Sequence, residues 1–110
     1  MVNQGDIIRV NLNPNKGHEQ SGFRPAIVIS NNFFNQHCNM TIVCPITNTN
    51  NNYPLHIPLN NKTKTTGVVL CEHIRSLDLN SRGYTFVEHA PEEIINEVLN
   101  VVFAEIENDS

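Results

Sequence analysis

A chain of 110 residues without a break in composition is long enough for one domain, residues 1–110, with its own core, and its apolar runs fall far short of the roughly 20 residues that span a bilayer. A formal net charge of −4 excludes nonspecific binding to a long polyanion, which draws its affinity from neutralised phosphates, so any nucleic-acid contact has to come from a local patch. The N-terminus M-V-N-Q-G-D lacks a basic stretch followed by an apolar one, and Cys38, Cys44 and Cys71 lack C-x-x-C spacing; a cytoplasmic protein with reduced, buried thiols and no membrane partner is expected.

The first strand is predicted over Ile7 to Leu12, where Ile8, Val10 and Leu12 alternate with Arg9 and Asn11. Asn13-Pro14-Asn15 ends it. A Gly-bounded polar loop follows, and Arg24 to Ser30, R-P-A-I-V-I-S, reads as a second strand whose β-branched centre is buried on both faces. Asn31 to Gln36 suits a short helical turn. Thr41 to Ile46 is a third strand leading to Thr47, and Asn48 to Asn52 is a polar connector too poor in apolar surface to pack. Leu55 to Leu59, with prolines near both ends, reads as an edge strand; a loop from Asn60 to Thr66 carries Lys62 and Lys64; Gly67 to Cys71 and Tyr84 to Val87 are the last strands. From Pro91 the period changes to that of a helix, with Glu92 and Glu93 at its positive end and Ile94, Val98 and Val102 recurring beside Ile95, Leu99 and Ile106. Short strands before one terminal amphipathic helix predict a mainly β fold: a small, strongly curved antiparallel barrel closed or covered by that helix.

The residues that carry chemistry cluster at strand ends. From Gly17 to Pro25, G-H-E-Q-S-G-F-R-P places His18, Glu19, Gln20 and Arg24 in one loop, a mixture no core needs. Cleaving RNA without a metal calls for activation of the ribose 2′-hydroxyl, stabilisation of the phosphorane and protonation of the leaving 5′-oxygen, and the planar fork of an arginine suits the second task. A structural ion pair between Glu19 and Arg24 is the plain alternative. Thr47 has a hydroxyl for a phosphate or for its own turn. Glu72, His73 and Arg75 repeat the mixture at another strand end, with an Arg75 to Asp78 ion pair as the plain alternative there. No H-x-x-x-H, H-E-x-x-H, D-x-D, Walker, G-x-G-x-x-G or G-x-S-x-G spacing occurs, so neither a metal nor another cofactor is expected.

Three blocks carry a family resemblance: G-D-I-I-R-V-N-L-N-P-N-K-G-H-E-Q-S-G-F-R-P-A-I-V-I-S near the start, C-P-I-T at Cys44 to Thr47, and T-T-G-V-V-L-C-E-H-I-R-S-L-D at Thr65 to Asp78. In these the chain resembles the MazF/PemK/Kid toxins, the mRNA interferases of toxin-antitoxin modules. The resemblance implies an SH3-like barrel acting as a homodimer, single-stranded RNA in a groove across the dimer interface, and metal-independent cleavage to a 2′,3′-cyclic phosphate and a 5′-hydroxyl. It implies a cognate antitoxin as a second partner.

It places the family's arginine on Arg24 and its threonine on Thr47, with His18, Glu19 and Glu72 as candidate bases. Candidate RNA contacts are Asn13, Lys16, Gln20, Phe23, Thr66, His73 and Arg75. Phe23 is a stacking platform or a loop anchor. Two positions depart from the pattern: His73 stands where most relatives have glutamine, and Leu70 replaces an arginine of Kid-like toxins. Two rival readings follow, a non-catalytic gyrase-poison type of toxin on the same barrel and a degenerate relative that binds RNA without cutting it.

Overall fold

A computed structural model describes residues 1–12, 23–49 and 54–109. Asn13, Lys16, His18, Glu19, Gln20 and the centre of the Asn48 to Asn52 connector lie outside the described residues.

The central strands alternate between two cores. In β2 (Phe23–Val28), Ala26 and Val28 face one apolar cluster, with Ile8, Val10 and Val43, while Ile27 faces the other, with Ile7, Cys44 and Ile46. Both faces of the strand are therefore buried, as its unbroken β-branched run requires. β1 (Asp6–Asn11) pairs antiparallel with β2 from Ile7 opposite Ile27 to Asn11 opposite Phe23, and on its other edge with β7 (Tyr84–His89), where a bulge shifts the register between Ile7 and Ile8. The adjacent residues Ile7 and Ile8 enter different cores, one on each face, by the ordinary alternation of a strand.

β3 (Thr41–Thr47) pairs with β2 at Val43 to Pro45 and, on its far edge, with two strands in turn: β5 (Val68–Leu70) at Ile46 and Thr47, and β6 (Arg75–Leu77) at Thr41 to Val43. β4 (His56–Pro58) flanks β5 at the sheet edge, as its prolines lead one to expect. The path β4-β5-β3-β2-β1-β7 stays open at both ends, so the barrel-like curvature is covered by the terminal helix and is not closed by a strand pairing.

α1 (Asn32–His37) is capped by the Asn31 side chain, which accepts from the Phe34 N–H at 2.8 Å. α2 (Leu79–Arg82) is a single turn capped by Asp78. α3 (Glu92–Ile106) begins one residue after Pro91, whose carbonyl accepts from the Ile94 and Ile95 N–H groups. Its residues Ile94, Ile95, Val98 and Val102 complete the core around Ile7, Ile27 and Ile46. Each buried isoleucine there contributes about 1.5–3 kcal/mol. Gly5, at φ +94°, is required beneath this helix, because a Cβ would lie 2.9 Å from Ile95 Cγ1 and closer still to its Cδ1. Among the described residues no helix is long and apolar enough to cross a membrane.

Two expectations need correction. Ile106 does not join the core stripe; it is 72% exposed, because the last turn of α3 runs past the sheet it covers. Cys38 is exposed just after α1, whereas Cys44 and Cys71 are buried as expected. The segment Arg75 to Arg82, for which the sequence predicts no element, holds β6 and α2. Burial first, then Cys71, Glu105 and Glu72, pushes the Cys44 thiol far above its ordinary range, and burial with the same carboxylates raises Cys71 to about 12. Neither thiol is a nucleophile at neutral pH.

Candidate functional site

Arg24 and Thr47 come together through strand register. Ala26 lies opposite Pro45, Ile27 opposite Cys44 and Val28 opposite Val43; the paired residues end there, and continuing the same alignment by two residues brings Arg24 level with Thr47. Directly opposed residues project from the same face of a sheet. Val10 flanks Arg24 on the other side and Val68 flanks Thr47, and both valines are buried. Arg24 is exposed, and among the described residues its side chain makes no hydrogen bond and no ion pair.

The other three arginines of the chain bond to backbone carbonyls: Arg9 Nη2 donates to Phe23 O at 3.1 Å, Arg82 Nη1 to Asn11 O at 2.6 Å, and Arg75 Nη1 to Leu12 O. Arg75 is therefore directed at the end of β1, and in place of the alternative pair with Arg75, Asp78 caps a helix, accepting from the Ser81 N–H and hydroxyl. Lys62 pairs with Glu93 on α3. Of these cations, Arg24 is the one held out to solvent with no partner among the described residues.

Thr47 Oγ1 accepts from the Thr49 N–H at 3.2 Å, an ST turn that fixes its rotamer and leaves its own proton to donate elsewhere. Thr66 Oγ1 donates to Asn48 Oδ1 at 3.0 Å, tying the Asn60 to Thr66 loop to the end of β3. Beside this tie, Arg9, Pro25, Asn48, Thr65, Thr66 and Val87 line a cleft of about 240 Å³. Phe23 is 47% exposed next to Arg24, which places it on the surface and not in the core.

Glu88 on β7 holds the loop from the other side. Its carboxylate accepts from Lys64 N at 3.1 Å and from Thr65 N and Thr65 Oγ1, both at 2.8 Å. Burial pushes Glu88 up, but these hydrogen bonds and the Lys64 charge outweigh it, and its pKa is lowered. A carboxylate whose folded pKa is depressed adds stability above its unfolded value of about 4.3, which is lost as pH falls through the folded value. Glu88→Gln is therefore expected to lower Tm at pH 7 by roughly 4–8 °C, the equivalent of about 1 kcal/mol, and to flatten the acid limb of a Tm against pH series.

Glu72 is not beside Arg24 within the protomer. Thr47 pairs with Val68 at the start of β5, whereas Glu72 follows the far end of that strand, Leu70, which pairs with His56. There Glu72 Oε2 is hydrogen-bonded to Nε2 of the buried His56 at 2.9 Å, and the exposed His73 ring lies 3.8 Å away. Burial raises the Glu72 pKa, yet the His56 hydrogen bond, the Glu72 backbone N–H and both histidine charges reverse that, and the net shift is downward. His56 escaped the sequence reading because L-H-I-P registers only as an edge strand. Arg9 and Arg82 escaped it because carbonyl acceptors leave no mark in a sequence.

A profile described as PemK-like, MazF-like toxin of type II toxin-antitoxin system matches residues 3–104. Endoribonuclease PemK of Escherichia coli is 36% identical over 102 residues, covering 89% of this chain and 77% of that protein. The crystal structure of MazF (Form-I) from Deinococcus radiodurans superposes with a TM-score of 0.84 at 33% identity, over 97% of each chain. A MazE-MazF complex (Form-II) from the same organism gives 0.81 at 28% identity, over 96% of this chain and 94% of that one.

Proposed function

The chain belongs to the PemK-like, MazF-like toxins of type II toxin-antitoxin systems, and from that premise we propose that Arg24 and Thr47 form the phosphate-binding centre of its endoribonuclease activity. The protein is an endoribonuclease toxin that cuts mRNA in a sequence-specific manner, acts as a homodimer and is neutralised by a cognate antitoxin. Its place of action is the cytoplasm, where its substrate is.

The observation that carries the assignment is the exposed Arg24 guanidinium, without a partner among the described residues and in line with Thr47 at the ends of β2 and β3, in a chain whose other arginines are bonded to carbonyls. The 2′-oxygen attacks phosphorus, its proton passes to a base drawn from His18, Glu19 and Glu72, and the bond to the 5′-oxygen breaks as that oxygen takes up a proton with the assistance of Arg24. The products are a 2′,3′-cyclic phosphate and a 5′-hydroxyl. Charge that develops on the phosphorane oxygens is met by the Arg24 fork and the Thr47 hydroxyl, and no metal is required. Unpaired RNA is the substrate because an A-form duplex buries the base edges that a sequence-selective site must read. Pairing two protomers doubles Arg24 around one axis and supplies a positive patch despite the net charge of −4.

The test is incubation of the purified protein with a long RNA in excess EDTA, followed by mapping of the product ends. Defined cuts bearing 5′-hydroxyl and cyclic phosphate termini are expected. RNA left intact under these conditions, but cut once magnesium is restored, would overturn the metal-free mechanism.

A further inference from the structure

Asn11 and Phe23 form the last described rung of the β1–β2 hairpin, and the carbonyls of both are held by guanidinium groups. Arg82 reaches Asn11 O from α2, Arg75 reaches Leu12 O from β6, and Arg9 reaches Phe23 O from within β1. Arg82 and Arg9 thus hold the two carbonyls of the rung next to Arg24, and Arg75 holds the carbonyl of Leu12, which follows Asn11 in the chain.

The anchors are themselves fixed. α2 is capped at one end by Asp78 and at the other by Gly83, whose N–H donates to Leu79 O at 2.8 Å, and the chain then enters β7 with Tyr84 opposite Val10. β6 is registered on β3 with Arg75 opposite Val43. A strand end held only by its ladder frays. Here charged donors rooted in packed elements bond its terminal carbonyls, and charge-assisted hydrogen bonds are the stronger and more directional kind.

We propose that Arg82, Arg75 and Arg9 are positioning residues that fix the end of the β1–β2 hairpin and thereby the angle at which Arg24 meets the scissile phosphate. The proposal rests on the assignment of Arg24 above. It gives these three cations a role other than contact with RNA phosphates, and the two roles are separable by experiment. A misplacement of about 1 Å at a reacting group costs on the order of 10²-fold in rate. A phosphate contact instead contributes about one unit to the slope of log affinity against log salt.

The experiment measures single-turnover cleavage, RNA affinity across a salt series, and Tm for Arg82→Met, Arg82→Lys and Arg75→Met, with Arg24→Ala alongside. Arg82→Met and Arg75→Met are expected to lower the cleavage rate by roughly 10- to 100-fold at temperatures well below Tm, with affinity and salt slope unchanged. Arg82→Lys, which keeps one charged donor within reach of the Asn11 carbonyl, is expected to recover much of the rate. A salt slope reduced by about one in the methionine variants would overturn the proposal in favour of phosphate contact. A normal cleavage rate in folded Arg82→Met and Arg75→Met would overturn it outright. Should those variants not fold, Arg9→Gln, which alters an exposed side chain with one carbonyl bond, takes their place under the same criteria. Loss of activity in Arg24→Ala with full activity in the anchor variants rejects positioning alone; full activity in Arg24→Ala rejects the catalytic assignment on which it rests.

Discussion

Arg24→Ala is expected to reduce RNA cleavage by at least 10²- to 10³-fold, the range seen when one preorganised donor to a developing oxyanion is removed. The physical ground is the way the chain distributes its arginines. Arg9, Arg75 and Arg82 each have a carbonyl to hold, so removing any of them disturbs the backbone. Arg24 is exposed and has no described partner, so the fold loses little when it goes. The variant should therefore keep its Tm within about 1–2 °C and keep its oligomeric state, as expected of a surface substitution. Arg24→Lys should recover only part of the rate, because a point charge cannot present two parallel donors to a phosphate. Cleavage of a long RNA, read on a denaturing gel at matched protein concentration, decides the matter, and wild-type cutting by Arg24→Ala would show that another group stabilises the phosphorane.

Much of the architecture is written in the local periodicity of the chain. The alternation of Ile8, Val10 and Leu12, the β-branched run Ala26 to Ile29 and the four-residue recurrence of Ile94, Val98 and Val102 all appear where burial demands them. β6 does not announce itself, because R-S-L is too short to alternate, and it becomes a strand only because β3 is long enough to pair at both ends. α2 is encoded in Asp78, Ser81 and Gly83, a cap and stop signal around a single turn that a longer periodic window averages away. Arg24 and Thr47 are legible as chemistry from their neighbours in sequence, but the register that brings them level with each other belongs to the fold. Arg75 shows the limit most plainly. Beside Asp78 in sequence, it instead bonds a carbonyl 63 residues away, and nothing local foretells that partner.

Gly67→Ala is expected to cripple the enzyme by a different route, through the backbone on which Thr47 rests. Gly67 adopts φ +118°, a conformation that L residues enter only with strain, and it precedes Val68, which pairs with Thr47. A Cβ at this position would lie 2.8 Å from the Thr47 carbonyl carbon, closer still to the carbonyl oxygen, and 3.2 Å from Asn48 Oδ1. The Asn48 side chain can swing away, but the Thr47 backbone cannot, because it is hydrogen-bonded within the sheet. Relief requires the end of β3 to move, and with it the hydroxyl level with Arg24. The expected loss is about 2–4 kcal/mol of stability together with roughly a 10²-fold fall in cleavage measured well below Tm. Gly83→Ala is the matching control: it too sits at positive φ, +76°, but a Cβ there meets nothing within 4 Å. It should show the strain without the clash, about 1–3 kcal/mol, with a smaller loss of cleavage than Gly67→Ala. Equal losses of activity in the two variants would mean that the close approach of Gly67 to Thr47 has no part in shaping the site.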